Sequence, residues 1–234
     1  MDIFRRKRRM SFFIGDFLIS GGEHQSNHQA AGGYDMKENQ LITIGRELGS
    51  GGREIGMKLS KELGIPFYDR EILEESAKKS GYAQEIFEKN DERPTNSFLY
   101  AIAMGVNSYG TGFQKPLTLE LYLAQFNTMR KLASEGPGIF IGRCADYVLS
   151  EMSPILNVFV HADMETRIKN TAAKHNISEK AAEAMCIRSD KDRANYYNYY
   201  SNHEWGDSRY YDLIINTGKL GVDKAVEIIK TSLD

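Results

Sequence analysis

ITIGRELGSGGREIGMKLSKELGIPFYDR, residues Ile42–Arg70, decides how the rest of the chain is read. The β-branched run Ile42-Thr43-Ile44 leads into a loop carrying Gly45, Gly49, Gly51 and Gly52. Ile55, Leu59 and Leu63 follow at helical spacing, Gly64 stands where a helix stops, and Ile65–Tyr68 begins a second strand. Strand, glycine loop, helix and strand make a unit that can cradle phosphate. Glycines let backbone N–H groups converge on an anion, and the helix N-terminus adds partial positive charge. A plain tight turn is the alternative reading of the glycines.

Downstream, three more apolar runs have the length of strands buried on both faces: Gly138–Gly142 (GIFIG), Ile155–Val160 (ILNVFV) and Leu213–Ile215 (LII). Helical patterns separate them, over Leu117–Glu135, from Asp163 onward and over Val222–Leu233. Five short strands alternating with helices predict an α/β fold whose parallel sheet is covered on both faces. Asp69 is a candidate N-cap for a helix over Arg70–Ser80, with a shorter helix at Ala83–Asn90, while residues 91–116 lose periodicity and read as a long functional or disordered loop. The first forty residues differ from the rest. A basic cluster, Arg5–Arg9, precedes an interrupted apolar run and a polar, Gly-rich stretch, so residues 1–40 read as a disordered leader or an extension upstream of a start at Met36.

The hydrophobic fraction of 41% and charged fraction of 26% are those of an ordinary globular protein. A formal net charge of −2 gives no drive toward nucleic acid or an anionic membrane, and no apolar run reaches the roughly 20 residues of a membrane span. Two distant cysteines, Cys144 and Cys186, fit a reducing, cytoplasmic setting rather than a disulfide framework or zinc site.

The template G-x-x-x-x-G-K-[ST] does not fit the loop. With Gly51 as its last glycine, Gly52 falls on the lysine and Arg53 on the Ser/Thr that would hold magnesium. Arg46 and Arg53, which flank the loop, can each offer a planar fork to phosphate, and Ser50 is its only hydroxyl, able to reach a metal or a phosphate. Gly142-Arg143 ends a buried strand, where open α/β sheets bind ligands, so Arg143 is a ligand contact or an ion-pair partner of Asp146. Arg188, Lys191 and Arg193 concentrate charge on a mobile-looking segment that suits a lid over transferring phosphate, or else form a solvated helix face neutralised by Asp190 and Asp192. Tyr196, Tyr197, Tyr199 and Tyr200 form a one-sided aromatic face suited to packing against the core or a second subunit. Asp69 is an acceptor contact or only a cap, and His161 and His203 are structural.

With these residues in view the chain resembles the cytidylate kinase-like family of P-loop nucleoside monophosphate kinases. The resemblance rests on ITIGRELGSGGREIG, LGIPFYDREIL, IFIGRCADYVL, NVFVHADMETRIK, SDKDRANYYNYY and YDLIINTGKLGVDKAVEII, spanning about residues 41–232. It implies a three-layer α/β/α P-loop NTPase fold over residues 41–234, with an acceptor-binding helical insertion at about 70–135 and a lid at about 175–205. It also implies ATP with Mg²⁺ as donor and CMP or a related monophosphate as acceptor. By position, Gly49, Ser50, Gly51 and Gly52 look like the phosphate loop, Arg143 matches the arginine of the Gly-Arg-Asp motif, and Arg188 and Arg193 resemble the lid arginines. Asp69, Arg70 and Arg167 fall on the acceptor side, and Asn216-Thr217 lies where adenine is approached. The pattern departs at Gly52 and Arg53, and again at Ile141 and Cys144, which replace the aspartates flanking Gly-Arg. Nucleotides are thus the expected partners of a nucleotide kinase. A nucleotide-binding module without turnover and a kinase of another small molecule are the alternatives, and the oligomeric state, homodimer included, is left open.

Overall fold

This computed structural model describes residues 40–70, 117–152 and 154–233. Five parallel strands form one sheet: β1 (Leu41–Arg46), β2 (Phe67–Tyr68), β3 (Gly138–Ile141), β4 (Ile155–His161) and β5 (Leu213–Asn216), in the order β2-β3-β1-β4-β5. Among the described residues seven further elements accompany them: α1 (Gly52–Leu63), α2 (Leu117–Ser134), α3 (Ala145–Val148), α4 (Met164–His175), α5 (Glu179–Ser201), a 3₁₀ turn at Ser208–Tyr210 and α6 (Thr217–Thr231). The helices over 70–80 and 83–90, the loop over 91–116 and the leader read from the sequence lie outside the described residues.

Alternation along the strands builds two cores. Ile42, Ile44, Ile139, Ile141, Val158 and Val160 point to one face, where Ile55, Leu59 and Leu63 of α1 and Ala225, Val226 and Ile229 of α6 cover them. Leu41 and Phe140 point to the other face, against Met129 and Ala133 of α2, Val148 and Leu149, and Tyr197 of α5. Each such aliphatic side chain withdrawn from water contributes about 1.5–3 kcal/mol, and that burial fixes the strand register because a one-residue slip would reverse every face. Tyr196 and Tyr200 pack against the second cluster, as the aromatic face predicts, while Tyr199 is 71% exposed. Among the described residues no helix is long and apolar enough to cross a membrane.

Three readings need correction. Residues 188–193 are not at a mobile helix end but inside one 23-residue helix, α5. No glycine or proline interrupts it, and Asp190 is held by partners from other elements, so its polar middle does not unwind. Helix α4 begins at Met164, because Asp163 serves as its cap and accepts from the Thr166 N–H. The last helix begins at Thr217, directly after β5, and ends at Thr231, rather than spanning Val222–Leu233, with a kink at Gly221 (φ 76°).

Candidate phosphate-binding site

The connection leaving β1 runs through α1 on one face of the sheet, and the connection leaving β3 begins with α3 on the other. Neighbouring strands whose connections part in this way open a crevice at their carboxyl ends, the usual ligand site of an open α/β sheet. The glycine loop lies there. Gly49 and Gly51 adopt left-handed conformations (φ 80° and 81°), which bend residues 47–51 back before α1 starts at Gly52. A Cβ on Gly49 would lie 2.5 Å from the Arg167 carbonyl oxygen. The loop is pinned from outside as well: Asn170 Nδ2 donates to the Gly49 carbonyl (2.9 Å), and Thr217 Oγ1 donates to the Ser50 carbonyl (2.7 Å), with the His161 carbonyl at 3.1 Å.

Ser50 is buried, and its hydroxyl faces the carbonyls of Glu47 (2.9 Å) and Val160 (3.0 Å). In this arrangement it anchors the loop to β4. The carboxylates bordering the loop are equally engaged. Glu47 lies 3.3 Å from Arg167 Nε, Asp69 pairs with Arg53, and Asp190 lies against Arg167 and Arg193. Among the described residues no cluster of three or more acidic, histidine or cysteine side chains could hold a metal.

The two arginines flanking the loop diverge. Arg53 turns along α1 toward the end of β2, where its Nε and Nη2 both donate to Asp69 Oδ2 (3.0 and 2.7 Å). Asp69 is buried and Arg53 half-exposed, so the acid contributes to positioning the base. Arg46 instead lies across the crevice, its stem beside Gly52 and its guanidinium over Gly142 at the end of β3. There Gly142, Arg143 and Cys144 are three consecutive left-handed residues (φ 69°, 56° and 57°). Non-glycine residues held so cost of order 1–3 kcal/mol each and concentrate at ligand sites. The strained turn brings the Arg143 guanidinium over the Tyr196 ring, 5.1 Å from its centroid. Asp146, the alternative partner considered for Arg143, accepts from Tyr197 Oη (2.5 Å).

Helix α5 closes the site from above the sheet. Arg193 Nη1 donates to the Arg46 carbonyl (3.0 Å) and lies 3.5 Å from Asp190. Burial lowers the pKa of Arg193; Asp190 opposes that shift, while the charges of Arg143 and Arg167 add to it. Asp190 in turn accepts from the Leu48 N–H (2.8 Å) and from Arg167, which ties α5 to the loop. Arg167 is 5% exposed and enclosed by Asp190, Glu47 and Met164, with its Nε off the line of a hydrogen bond to Glu47. Arg46, Arg143 and Arg193 are thus brought together, while Arg188 is exposed elsewhere on α5 and Arg53 stands apart beside Asp69. Arg70 follows Asp69 at the β2 end. Asn216 caps α6 with its Oδ1 buried and unpartnered among the described residues, and Thr217 is spent on the loop.

Glu47, Asn170 and Asp190 were not singled out as site residues from the sequence. The contacts that tie them to the loop or its neighbours, Glu47 to the Ala162 N–H, Asn170 to Gly49 and Asp190 to Leu48, span 115 to 142 residues.

A parallel five-stranded sheet with a glycine loop and converging arginines at its switch point has the architecture of the P-loop kinase class. Residues 41–219 match the cytidylate kinase-like family, and the chain belongs to it. It is 25% identical to the cytidylate kinase of Pyrococcus horikoshii over 200 residues, covering 85% of this chain and 90% of that one. It is 24% identical to the cytidylate kinase of Methanopyrus kandleri, covering 83% and 93%. A crystal structure of an uncharacterised protein from Eubacterium ventriosum shares the fold with a TM-score of 0.64 and 31% identity, covering 83% of this chain and 98% of that one.

Proposed function

We propose that the protein is a nucleoside monophosphate kinase that transfers the γ-phosphoryl group of ATP to CMP or a closely related acceptor in the cytoplasm. The observation that carries this reading is the convergence of Arg46, Arg143 and Arg193 on the glycine loop at the switch point. Phosphoryl transfer needs little covalent help from a protein. It needs alignment and positive charge around oxygens that gain charge in the transition state. In the proposed reaction a phosphate oxygen of the acceptor forms a bond to Pγ while the bond from Pγ to the β–γ bridging oxygen breaks. The nucleoside diphosphate product and ADP then carry the same total charge as the two reactants. Magnesium bound through the triphosphate oxygens would supply further positive charge there.

Loop N–H groups and the start of α1 receive the donor phosphates. Arg143 and Arg193 lie where the transferring group would pass between donor and acceptor, and Arg188 joins them only if α5 shifts. Arg53, Asp69 and Arg70 stand on the acceptor side at the end of β2. Arg167 holds α4, α5 and the loop in register rather than meeting the acceptor directly. Asn216 lies toward the base of the donor.

A second reading, a nucleotide-binding module without turnover, is favoured by one feature: Asp190 occupies the Leu48 N–H and neutralises part of the arginine charge. A coupled ADP-release assay across CMP, dCMP, UMP, AMP and GMP separates the two. ADP formation that depends on a pyrimidine monophosphate is expected; ATP binding with no ADP on any acceptor would leave the module reading.

A further inference from the structure

Position 52 carries glycine where a phosphate loop ordinarily carries lysine, and the space beside it is already filled. A Cβ on Gly52 would lie 2.6 Å from Arg46 Cβ and 3.0 Å from Arg46 Cγ. Gly52 has no left-handed backbone to excuse the glycine, and the next nearest atom, Val160 Cβ, sits at an ordinary 3.5 Å. At the far end of the same side chain, a Cβ on Gly142 would lie 1.9 Å from Arg46 Nη1 and 3.1 Å from its Cζ.

We propose that Arg46, the last residue of β1, is the cation that grips the donor's polyphosphate in place of the missing lysine, and that Gly52 is the space its stem requires. The proposal rests on reading the glycine loop as a phosphate site, and it names which cation serves that site. An arginine at 46 and a side chain at 52 exclude one another, so the two departures from the ordinary loop are one substitution made in two places. The arginine leaves from the strand instead of the helix, one position after Gly45, and its longer stem crosses the start of α1 to reach the β3 end. Its backbone is fixed there: Arg193 donates to the Arg46 carbonyl, which couples the two guanidinium groups through a single peptide. Arg53, the other basic residue flanking the loop, commits two of its donors to Asp69.

The ligand chemistry follows. A guanidinium presents a rigid fork to two oxygens and keeps its proton at any working pH, so it suits a bridging grip on adjacent phosphates more than a point contact with one. The group recognised is a polyphosphate ester such as a nucleoside triphosphate, and inorganic tripolyphosphate carries the same chemistry without the base.

The test is a charge-relocation series read by calorimetric titration of tripolyphosphate and of ATP with magnesium, with thermal unfolding of each unliganded variant as the check on folding. Arg46→Met keeps the stem and removes the charge; binding of both ligands is expected to weaken roughly 10- to 100-fold, the scale of a lost charge-assisted pair, with the unfolding midpoint near wild type. Arg46→Lys is expected to bind between the two. Arg46→Gly alone is expected to bind weakly, and adding Gly52→Lys to it to recover much of the loss. Wild-type affinity in Arg46→Met, or a relocated lysine that binds no better than Arg46→Gly alone, would overturn the proposal, as would a wild-type protein that binds neither ligand. A wild type that binds ATP but turns over no acceptor would refute the kinase reading and leave the Arg46 contrast standing.

Discussion

Arg46 and Arg53 flank the same glycine loop, seven residues apart, yet the fold sends them to the ends of two different strands, β3 and β2. Arg46 leaves a buried strand and is steered by two missing side chains, at Gly52 and Gly142, across the crevice between β1 and β3. Arg53 leaves the exposed side of α1 and is drawn by a buried carboxylate, Asp69, to the end of β2. One arginine is shaped by space and the other by charge. Proximity in sequence to the glycine loop therefore does not decide where a flanking arginine ends: the space at Gly52 and Gly142 sets Arg46, and the Asp69 carboxylate sets Arg53.

The comparison can be broken most severely at the loop itself. Gly49→Ala would force a side chain into a left-handed position and against the Arg167 carbonyl 2.5 Å away. The expected cost is about 2–5 kcal/mol of stability, from strain and overpacking together, measured by chemical denaturation. The Arg46 side of the comparison should collapse with it, because the loop no longer frames the crevice.

A smaller change sharpens the Arg53 side. Arg53→Ala leaves the buried Asp69 without this partner and is expected to cost about 1–2 kcal/mol, toward the low end for charge-assisted pairs because half of Arg53 faces water. Any loss of turnover in this variant should appear in the acceptor's KM rather than in ATP binding. An ATP affinity that falls with the stability would place Arg53 on the donor side instead.

The smallest effect lies under the β3 end, where Arg46 terminates. Burial pushes the Asp146 carboxyl up, and the hydrogen bond from Tyr197 only partly opposes this. With the folded pKa above the unfolded one, Asp146 favours the folded state fully below the unfolded value, near 3.9, and that contribution is lost as pH rises through the folded value. Wild type should therefore lose stability relative to Asp146→Asn as pH is raised from about 4 to 7, read as a difference in thermal midpoints. A constant difference across that range would show that the carboxyl is not perturbed.

Much of this architecture is legible in the sequence because the informative signals are local. Ile55, Leu59 and Leu63 announce the buried face of α1, Gly64 its left-handed end (φ 68°), and the runs GIFI and ILNVFV the central strands. The resemblance of GSGGREIG and DKDRANYYNYY to a kinase family was readable for the same reason. The site was legible only in its roll of residues. Arg46, Arg143 and Arg193 could be named from position, but their convergence depends on a left-handed turn at Gly142–Cys144, which a bulky Arg-Cys pair does not advertise. The continuity of α5 was hidden because Ser189, Asp190 and Asp192 are poor helix formers, and the pairing of Asp190 with Leu48 and Arg167 supports the helix from outside it. The anchoring of Ser50 to Val160 was hidden because that carbonyl, 110 residues away, meets it only after β1 and β4 pair.

One measurement bears on the whole account: the dissociation constant of ATP with magnesium for Arg46→Met beside that for Arg53→Ala, at fixed salt. The account predicts that Arg46→Met weakens ATP roughly 10- to 100-fold while Arg53→Ala stays near wild type. The reverse order, with Arg53→Ala the weaker binder, would contradict it.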